Sequence, residues 1–284
     1  MGTKQNRYTD MHVAEAKRLR AEENLSVRQI AIRLGVPCPK VVKAWLDGTK
    51  PNGVRSTSDY AGAFKPRAGF EALTVDKSYV LGVLCGDGSV WTHECGSRYL
   101  GLCVTDRDFA EAFSRAVNAT FGAETKVAER VKKQCRAGKV YVVQHGSRLV
   151  VEDLERYFTA GCKTETWRVP GAVRGADEAT RAAFLRGFFD SEGGLSGTGQ
   201  VMAWSTNPYG VADVIALLDS VGVPARSSLC KKLPPRKDCY AIIVASASNR
   251  RFLDLVGFSI QRKQAALRAA LGLKEPERGA PPQE

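Results

Sequence analysis

Two acidic residues recur in the same local setting. Asp87 and Glu192 each end an apolar segment and each precede a glycine, in the patterns Gly-x-x-x-x-Asp-Gly over residues 82–88 and Gly-x-x-x-x-Glu-Gly over residues 187–193. Carboxylate oxygens are hard ligands that suit Mg²⁺, an ion that keeps much of its water and binds phosphate oxygens. If the two carboxylates lie close together, the pair predicts two-metal hydrolysis of phosphodiester bonds.

Each acid ends a predicted helix that carries a glycine in its middle. Gly82 and Gly187 should each cost about 1 kcal/mol relative to alanine in a helix. That cost is offset if the two helices pack together, because glycine allows the closest approach of two backbones. Each acid lies five residues after its glycine, so this packing places Asp87 and Glu192 side by side, where two like charges require a cation between them.

The recurrence of the pattern makes it specific. Residues 86–88 alone are typical of an ordinary helix end that runs into a turn. A phosphate-binding P-loop over residues 82–89 is excluded, because Asp87 stands where such a loop needs a lysine. Two copies of one glycine-acid-glycine pattern therefore carry more information than either copy.

The chain around the motifs predicts two repeats with one order of elements. In the first repeat we expect helices at 79–86, 106–121 and 148–159 and strands at 99–105, 124–131 and 139–145. In the second we expect helices at 178–191, 207–221 and 249–256 and strands at 200–205, 225–231 and 239–245. A last helix at 261–271 closes the fold.

Composition and these elements predict a division into five segments. Residues 1–47 form a helical domain, 48–74 a basic linker rich in glycine and proline, 75–173 the first repeat, 174–273 the second repeat and 274–284 a disordered tail.

The N-terminal segment predicts a helix-turn-helix domain. Ser26 and Gln29 form a capping-box pattern, Gly35 ends that helix, and Pro37 is expected to open the next one. The side chains expected to face outward, toward DNA, are Cys38, Lys40 and Lys43. A helical packing module that touches no DNA is the alternative.

The charge of the chain indicates a polyanionic partner. Lys and Arg number 42 against 30 Asp and Glu, a net charge of +12. Nucleic acid is the leading partner, and an acidic membrane surface is the alternative, although no amphipathic basic helix stands out.

No apolar run reaches the roughly 20 residues of a membrane span. Residues 1–10 lack the apolar stretch of a secretion signal, so we expect a cytoplasmic protein. The eight cysteines form no C-x-x-C pair and are expected to be free thiols.

The two motifs resemble the paired motif that names the LAGLIDADG homing endonucleases. Residues 80–88 read VLGVLCGDG and residues 185–193 read LRGFFDSEG. Residues 161–170 and 249–258 also resemble family segments, and the resemblance covers residues 75–271. It implies an α+β fold of two pseudo-two-fold αββαββα repeats. Each repeat would form a saddle-shaped antiparallel sheet in the DNA major groove, with the motif helices at the interface.

The resemblance implies a set of metal ligands. Asp87 and Glu192 would bind the catalytic ions that cut the two strands, and the backbone carbonyls of Gly86 and Ser191 would add further ligands. Two or three divalent ions are implied, Mg²⁺ in the first place, with Mn²⁺ or Ca²⁺ able to occupy the site. Cys85 departs from the acidic residue usual at its position, which Asp190 keeps in the second motif.

Further active-site residues are implied by the same resemblance. A basic residue approaches each site in the family; Lys163 fits in the first repeat, and either Arg262 or Lys263 fits in the second. A polar residue at the end of the first strand positions water. Asp106 matches it in the first repeat, although an amide is common there, and Thr206 or Asn207 matches it in the second. Surface charge with no catalytic role is the alternative for all of these.

Two clusters of basic residues lie at equivalent hairpins of the two repeats. They predict contacts with the phosphate backbone on the two arms of a DNA duplex. The predicted contacts are Arg130, Lys132, Lys133, Arg136 and Lys139 in the first repeat and Arg226, Lys231, Lys232, Arg236 and Lys237 in the second. The expected partner is double-stranded DNA of about 20 bp or longer, bound by a monomer that needs neither a protein partner nor a membrane.

These observations together predict a monomeric, Mg²⁺-dependent, site-specific DNA endonuclease that makes a double-strand break. One alternative is a catalytically silent DNA-binding transcription regulator on the same fold. Another is an intron RNA maturase. We do not expect an intein, since the chain starts at Met1 and shows no terminal His-Asn junction.

Overall fold

The computed structural model describes residues 8, 10–48, 64–92, 97–131, 138–158, 166–232, 235 and 237–273. Most of the predicted linker and the whole predicted tail lie outside these residues. The chain divides into two compact units, residues 1–65 with 91–99 and residues 66–90 with 100–284. The domain boundaries expected from the sequence remain predictions.

Three short helices form the N-terminal part of the first unit. They are α1 (Asp10–Glu22), α2 (Val27–Arg33) and α3 (Pro39–Leu46). Their apolar faces share one core, whose fully buried members include Leu19, Ile30, Val42 and Trp45. Since a helix of 7 or 8 residues is not stable alone, this shared core holds the three together.

The caps of α2 and α3 fix the turn between them. The capping box at α2 is confirmed, because the Ser26 hydroxyl accepts from the Gln29 backbone N–H while the Gln29 side chain accepts from the Ser26 N–H. The prediction that Pro37 opens the next helix is wrong. Cys38 is extended as the N-cap, and Pro39 occupies the first helical position, where its missing N–H leaves no hydrogen bond unmade.

The second unit contains the two repeats, except for residues 91–99 of the first repeat. The first repeat runs α4 (Val75–Leu84), β1 (Gly88–Thr92), β2 (Arg98–Val104), α5 (Arg107–Phe121), β3 (Ala128–Val131), β4 (Lys139–Gly146) and α6 (Arg148–Glu155). The short helix α7 (Gly171–Arg174) follows. The second repeat runs α8 (Glu178–Glu192), β5 (Gly193–Leu195), β6 (Val201–Ser205), α9 (Pro208–Ser220), β7 (Ala225–Cys230), β8 (Cys239–Val244) and α10 (Asn249–Leu255), and α11 (Gln261–Ala270) ends the fold.

Both repeats have the order αββαββα and the same sheet topology. Within the described residues the strands form two four-stranded sheets, with the orders β1-β2-β4-β3 and β5-β6-β8-β7. The pairings β3–β4, β5–β6, β6–β8 and β7–β8 are antiparallel. The expected α+β fold of two related repeats is confirmed. The periodicity did not locate β1 and β5, because each is short and begins at a motif glycine.

Helix α4 begins four residues earlier than the sequence pattern predicts. Thr74 caps it by accepting a hydrogen bond from the Lys77 N–H at 3.1 Å. The polar side chain of Lys77 is fully buried, where it forms an ion pair with Asp153 of α6 at 2.6 Å and donates to the Phe70 carbonyl. This long-range pair explains why a lysine occupies a buried helix position.

Two expectations concern the chain as a whole. Across the described ranges, no helix combines the length and hydrophobicity that crossing a bilayer requires. The cysteines that the structure describes are free thiols, as expected; they are Cys38, Cys85, Cys103, Cys230 and Cys239.

Candidate functional site

The site is built where helices α4 and α8 pack against each other. A Cβ placed on Gly82 would lie 2.0 Å from the Phe184 carbonyl oxygen, and one on Gly187 would lie 2.2 Å from the Tyr79 carbonyl oxygen. The two backbones are therefore in direct contact at these glycines. A methyl group at either position would force the helices apart.

This contact continues to the ends of both helices, where the acids are located. A Cβ on Gly86 would lie 2.4 Å from the Ser191 Cβ and 3.1 Å from the Glu192 Cγ. Burial, together with the neighbouring charge of Asp87, raises the pKa of Glu192 to about 7. The structure thus brings together the four predicted metal-binding residues, Asp87, Glu192, Gly86 and Ser191, at one place.

Asp87 lies at the open side of this cluster. Its side chain is exposed, yet the surrounding protein removes part of its hydration, which raises its pKa. The positive charge of Lys263 opposes that rise, and the negative charge of Asp106 adds to it. Asp87, Asp106 and Lys263 therefore share one electrostatic environment with Glu192.

Of the two basic residues that fit the second repeat, Lys263 is the one beside the acids. It is buried, and its Nζ donates to the Asp190 carbonyl at 2.6 Å and to the Phe189 carbonyl at 3.2 Å. Burial lowers the pKa of Lys263, and the charge of Asp190 partly offsets this. The Lys263 charge in turn opposes the rise in the pKa of both Asp87 and Glu192.

Arg262 has a different partner. Its guanidinium donates to both carboxylate oxygens of Asp106, at 2.7 and 2.8 Å. This bidentate pair lowers the pKa of Asp106. It also connects the start of α11 to the start of α5, so that a residue of the second repeat holds the predicted water-positioning residue of the first.

At the equivalent position of the second repeat both matching residues are uncharged, so neither forms an ion pair of this kind. Asn207 is fully buried; its side chain donates to the Trp167 carbonyl at 2.6 Å and accepts from the Tyr209 and Gly210 N–H groups. Its oxygen caps α9 and its amide group holds the Trp167 carbonyl, so both ends of the side chain are already committed. Thr206 is half-buried, and of the two residues that match this position it alone reaches solvent.

The donors present fit a divalent ion of the Mg²⁺ type. The described part of the chain contains no group of three His, Cys, Asp or Glu side chains placed to hold a metal. Mg²⁺ is nevertheless held by one or two carboxylates together with water and phosphate oxygens. Two hard carboxylates, with pKa values raised by burial and, at Glu192, by mutual repulsion, match that requirement.

A buried polar link between the motif helices was not predicted from the sequence. Asp190 is almost fully buried; it accepts from the Tyr79 hydroxyl at 2.8 Å and from the Ser259 N–H at 2.8 Å. It thus joins α8 to α4 and to the loop that leads into α11. The sequence signal was Asp190 itself, an acid two residues before Glu192, where the first motif has the buried Cys85.

The predicted DNA contacts are placed in part. Lys40, Lys43, Arg130, Arg226, Lys231, Lys232 and Lys237 are exposed. Lys139 is also exposed, but it pairs with Glu129 at 2.6 Å, which reduces the positive charge it offers to a partner. Residues outside the described ranges are Lys132, Lys133, Arg136 and Arg236, together with the predicted catalytic Lys163.

Comparison with known proteins relates the second repeat to a family. Residues 179–257 match the family model of the LAGLIDADG-like domain. Over 184 residues the chain is 30% identical to the Replication factor C small subunit of Methanocaldococcus jannaschii. That match covers 64% of this chain and spans only 9% of the length of that relative.

Solved structures of homing endonucleases are similar to this chain at low sequence identity. The complex of I-DmoI with DNA and Ca is 14% identical to this chain, with a TM-score of 0.50, and the match covers 69% of this chain and 97% of that one. The homing endonuclease I-WcaI bound to its DNA recognition sequence is 14% identical, with a TM-score of 0.47, over 68% of this chain and 87% of that one. The expected resemblance to the LAGLIDADG family is therefore confirmed in the second repeat by the family model, and the first repeat has the same sheet topology.

Proposed function

We propose that this protein is a monomeric, divalent-metal-dependent endonuclease that makes a double-strand break at a specific DNA site. The proposal depends on one observation. Two acids from different helices meet where the backbones of those helices are in contact, and the pKa of Glu192 is raised to about 7. A fold that keeps two mutually repelling carboxylates together gains stability when a cation neutralises them.

Asp87 and Glu192 would hold Mg²⁺, with the carbonyls of Gly86 and Ser191 as further ligands. When bound, the ion activates a water and stabilises charge on the phosphate oxygens. Lys263 would supply a positive charge beside the two acids. The Arg262–Asp106 pair sets the position of a carboxylate beside Asp87, where it would accept a hydrogen bond from water.

Duplex DNA is the substrate that the charge and the fold support. The net charge of +12 favours binding of a polyanion, and exposed basic residues lie on both repeats. The structural neighbour I-DmoI was solved in complex with DNA and Ca, and we extend that substrate class to this chain. Lys40 and Lys43 of the N-terminal helices would add further contacts with DNA.

The test is selection of cleavable sites from a random pool of duplex DNA in Mg²⁺. Each strand of a selected site is then labelled separately, and cleavage is measured for the native protein, Asp87→Asn and Glu192→Gln. We expect each variant to lose cleavage of at least one strand by 100-fold or more, on the order of a lost catalytic electrostatic group. Glu124→Gln, at an exposed carboxyl outside both motif helices, is the matched control and should cut normally.

Other outcomes would identify the alternatives. Full cutting by both variants would refute the site. Tight DNA binding without cleavage in Mg²⁺ or Mn²⁺ would indicate a silent DNA-binding regulator. Preference for structured intron RNA over duplex DNA would indicate a maturase.

A further inference from the structure

Two cysteines lie directly opposite each other at the end of a hairpin in the second repeat. Cys230 is the last residue of β7 and Cys239 is the first residue of β8, and the antiparallel register pairs one with the other. Residues that face each other across such a ladder lie on the same side of the sheet. The two thiols therefore share one face of the sheet, where the strands join the segment 231–238.

The spacing of this pair suits a covalent bond between the two sulfur atoms. Directly opposed residues of antiparallel strands have Cα atoms about 4.5 or 5.5 Å apart. Both values lie within the range of about 4.4–6.8 Å that is usual for disulfides. Just beyond the pair, the Asp238 carboxylate accepts a hydrogen bond from the Lys232 backbone N–H at 2.8 Å. The backbone thus keeps the two cysteines within reach of each other.

A small reagent can reach both thiols from solvent. Cys230 and Cys239 are half-buried, whereas Cys85 at the end of α4 is buried. Exposed lysines flank the pair, Lys231 after Cys230 and Lys237 before Cys239, and their positive charge attracts an anionic reagent. The setting therefore favours reaction with an anionic small disulfide, such as oxidised glutathione.

The pair is not a consequence of the repeated fold. The equivalent hairpin of the first repeat, β3–β4, ends with Val131 opposite Lys139. The segment 231–238 between the two cysteines also holds four of the predicted DNA contacts, Lys231, Lys232, Arg236 and Lys237. A bond between Cys230 and Cys239 would close this basic segment into a ring.

We propose that Cys230 and Cys239 form a reversible disulfide by exchange with a small disulfide such as oxidised glutathione. The sulfur of one cysteine gives up its proton and attacks the small disulfide, so that a mixed disulfide forms and one small thiol is released. The sulfur of the other cysteine then gives up its proton, attacks the cysteine sulfur of the mixed disulfide and releases the second small thiol. The two cysteines are oxidised, the small disulfide is reduced to two thiols, and these thiols take up the two protons.

The bond fixes the base of the basic segment and so changes how that segment binds. Fewer conformations are then open to residues 231–238, and a segment restricted before binding loses less entropy when it binds. This step rests on the proposed function, because it takes duplex DNA as the partner. We expect the oxidised protein to bind a selected duplex about two- to tenfold more tightly than the reduced protein, the equivalent of ordering one side chain in advance.

The first experiment detects the bond itself and needs no DNA. Reduced protein is treated with oxidised glutathione, the remaining thiols are blocked, and the protein is digested with trypsin. Because trypsin cuts after Lys and Arg, Cys230 and Cys239 fall in the separate peptides 227–231 and 238–250. We expect mass spectrometry to find these peptides joined, with two hydrogens lost, and to find them separate after reduction with dithiothreitol.

Variants and unfolding separate juxtaposition in the sheet from nearness along the chain. Cys230→Ser should leave Cys239 as a mixed disulfide with glutathione. Cys103→Ser, at an exposed cysteine on β2, is the matched control and should leave the cross-link unchanged. In urea the ratio of cross-link to mixed disulfide should fall by about tenfold or more, because the sheet no longer holds the two thiols together.

The second experiment measures affinity for a selected duplex by fluorescence anisotropy in Ca²⁺. The native protein and Cys230→Ser are each compared in the oxidised and the reduced form. The gain in affinity on oxidation should appear in the native protein and be absent from the variant. Circular dichroism of each sample, without DNA, verifies that the fold is retained.

The outcomes distinguish this inference from the proposed function. Mixed disulfides at both cysteines without a cross-link, or an equal ratio in folded and unfolded protein, would overturn the disulfide. If the cross-link forms but both forms bind the duplex equally, the effect of the bond on binding is overturned. If the cross-link forms and neither form binds or cuts any duplex, the proposed function fails and the disulfide stands.

Discussion

Gly82 of α4 lies directly against the backbone of Phe184 in α8, so close that a Cβ on Gly82 would be 2.0 Å from the Phe184 carbonyl oxygen. Because the obstacle is backbone, no side-chain rotation relieves it. The reciprocal contact of Gly187 with Tyr79 has the same character. These contacts set the distance between the helices, and through it the distance between the two acids.

Substitution of either glycine should therefore separate the helices. We expect Gly82→Ala and Gly187→Ala each to lower the free energy of unfolding by about 1–3 kcal/mol or more, the usual cost of overpacking. Urea unfolding measures the change. Gly197→Ala, at a glycine with open space around its Cβ position, should be close to neutral. Equal stability of all three variants would contradict the close contact.

The raised pKa of Glu192 makes the metal-free protein sensitive to pH. Because the folded pKa is about 7 and the ordinary value is 4.5, the folded state holds a proton that the unfolded state has lost between these pH values. The free energy of unfolding should fall as pH rises through that window and stay lower above pH 7. Glu192→Gln cannot ionise, so in EDTA at pH 8 it should be more stable than the native protein by about 1–3 kcal/mol.

This stability difference should shrink as the pH falls toward 4.5 and disappear below it, where the native carboxyl is protonated in both the folded and the unfolded state. Chemical unfolding at several pH values checks this, with Glu124→Gln as the control. A gain that is the same at pH 5 and pH 8 would show that charge at Glu192 is not its cause. The affinity of the native protein for Mg²⁺ should weaken below pH 7, since protons then compete with the ion.

Lys263 and Arg262 are adjacent in the chain, but their side chains have different partners, so their substitution should have different effects. Lys263→Met removes the charge that lowers the pKa of both acids, and we expect cleavage to fall by 100-fold or more. Arg262→Gln removes the ion pair that holds Asp106, and it should mainly slow cleavage of the DNA strand that depends on Asp87. Strand-resolved single-turnover cleavage separates the two. If Arg262→Gln slowed cleavage of both strands more than Lys263→Met did, Arg262 and not Lys263 would be the basic residue that serves the acids.

The buried pair of Lys77 and Asp153 should show strong coupling in a double-mutant cycle. Both side chains are at most 1% exposed, and Arg156 also contacts Asp153 from the surface. Lys77→Met leaves a buried carboxylate with one exposed partner, so we expect a loss of about 3–5 kcal/mol in the free energy of unfolding. Lys77→Met combined with Asp153→Leu should recover much of that loss. Additive effects of the two substitutions would contradict the pairing.

Local sequence patterns located most of the helices. The predicted bounds of α5, α9 and α10 are each within one residue of the observed ends, because apolar periodicity and terminal glycines act within a few residues of the chain. Strands β1 and β5 have no such local signal, since they start at the motif glycines and β5 is three residues long. The start of α4 was missed because Lys77 and Ser78 have the polarity of surface residues. Their burial depends on Asp153 and on the Thr180 carbonyl, which lie 76 and 102 residues further along the chain.

The sequence by itself determined that two helices meet at glycines and that each helix carries an acid five residues after its glycine. Spacing along a helix fixes which side chains lie at the end of the surface where the two helices meet. It left open which of Arg262 and Lys263 approaches the acids. It also did not reveal the link from Asp190 to Tyr79 or the pair of Arg262 with Asp106. Only the tertiary structure decided these. Asp190 and Tyr79 are 111 positions apart in the chain, and Arg262 and Asp106 are 156 positions apart. Such partners depend on how the two repeats pack, which no local pattern encodes.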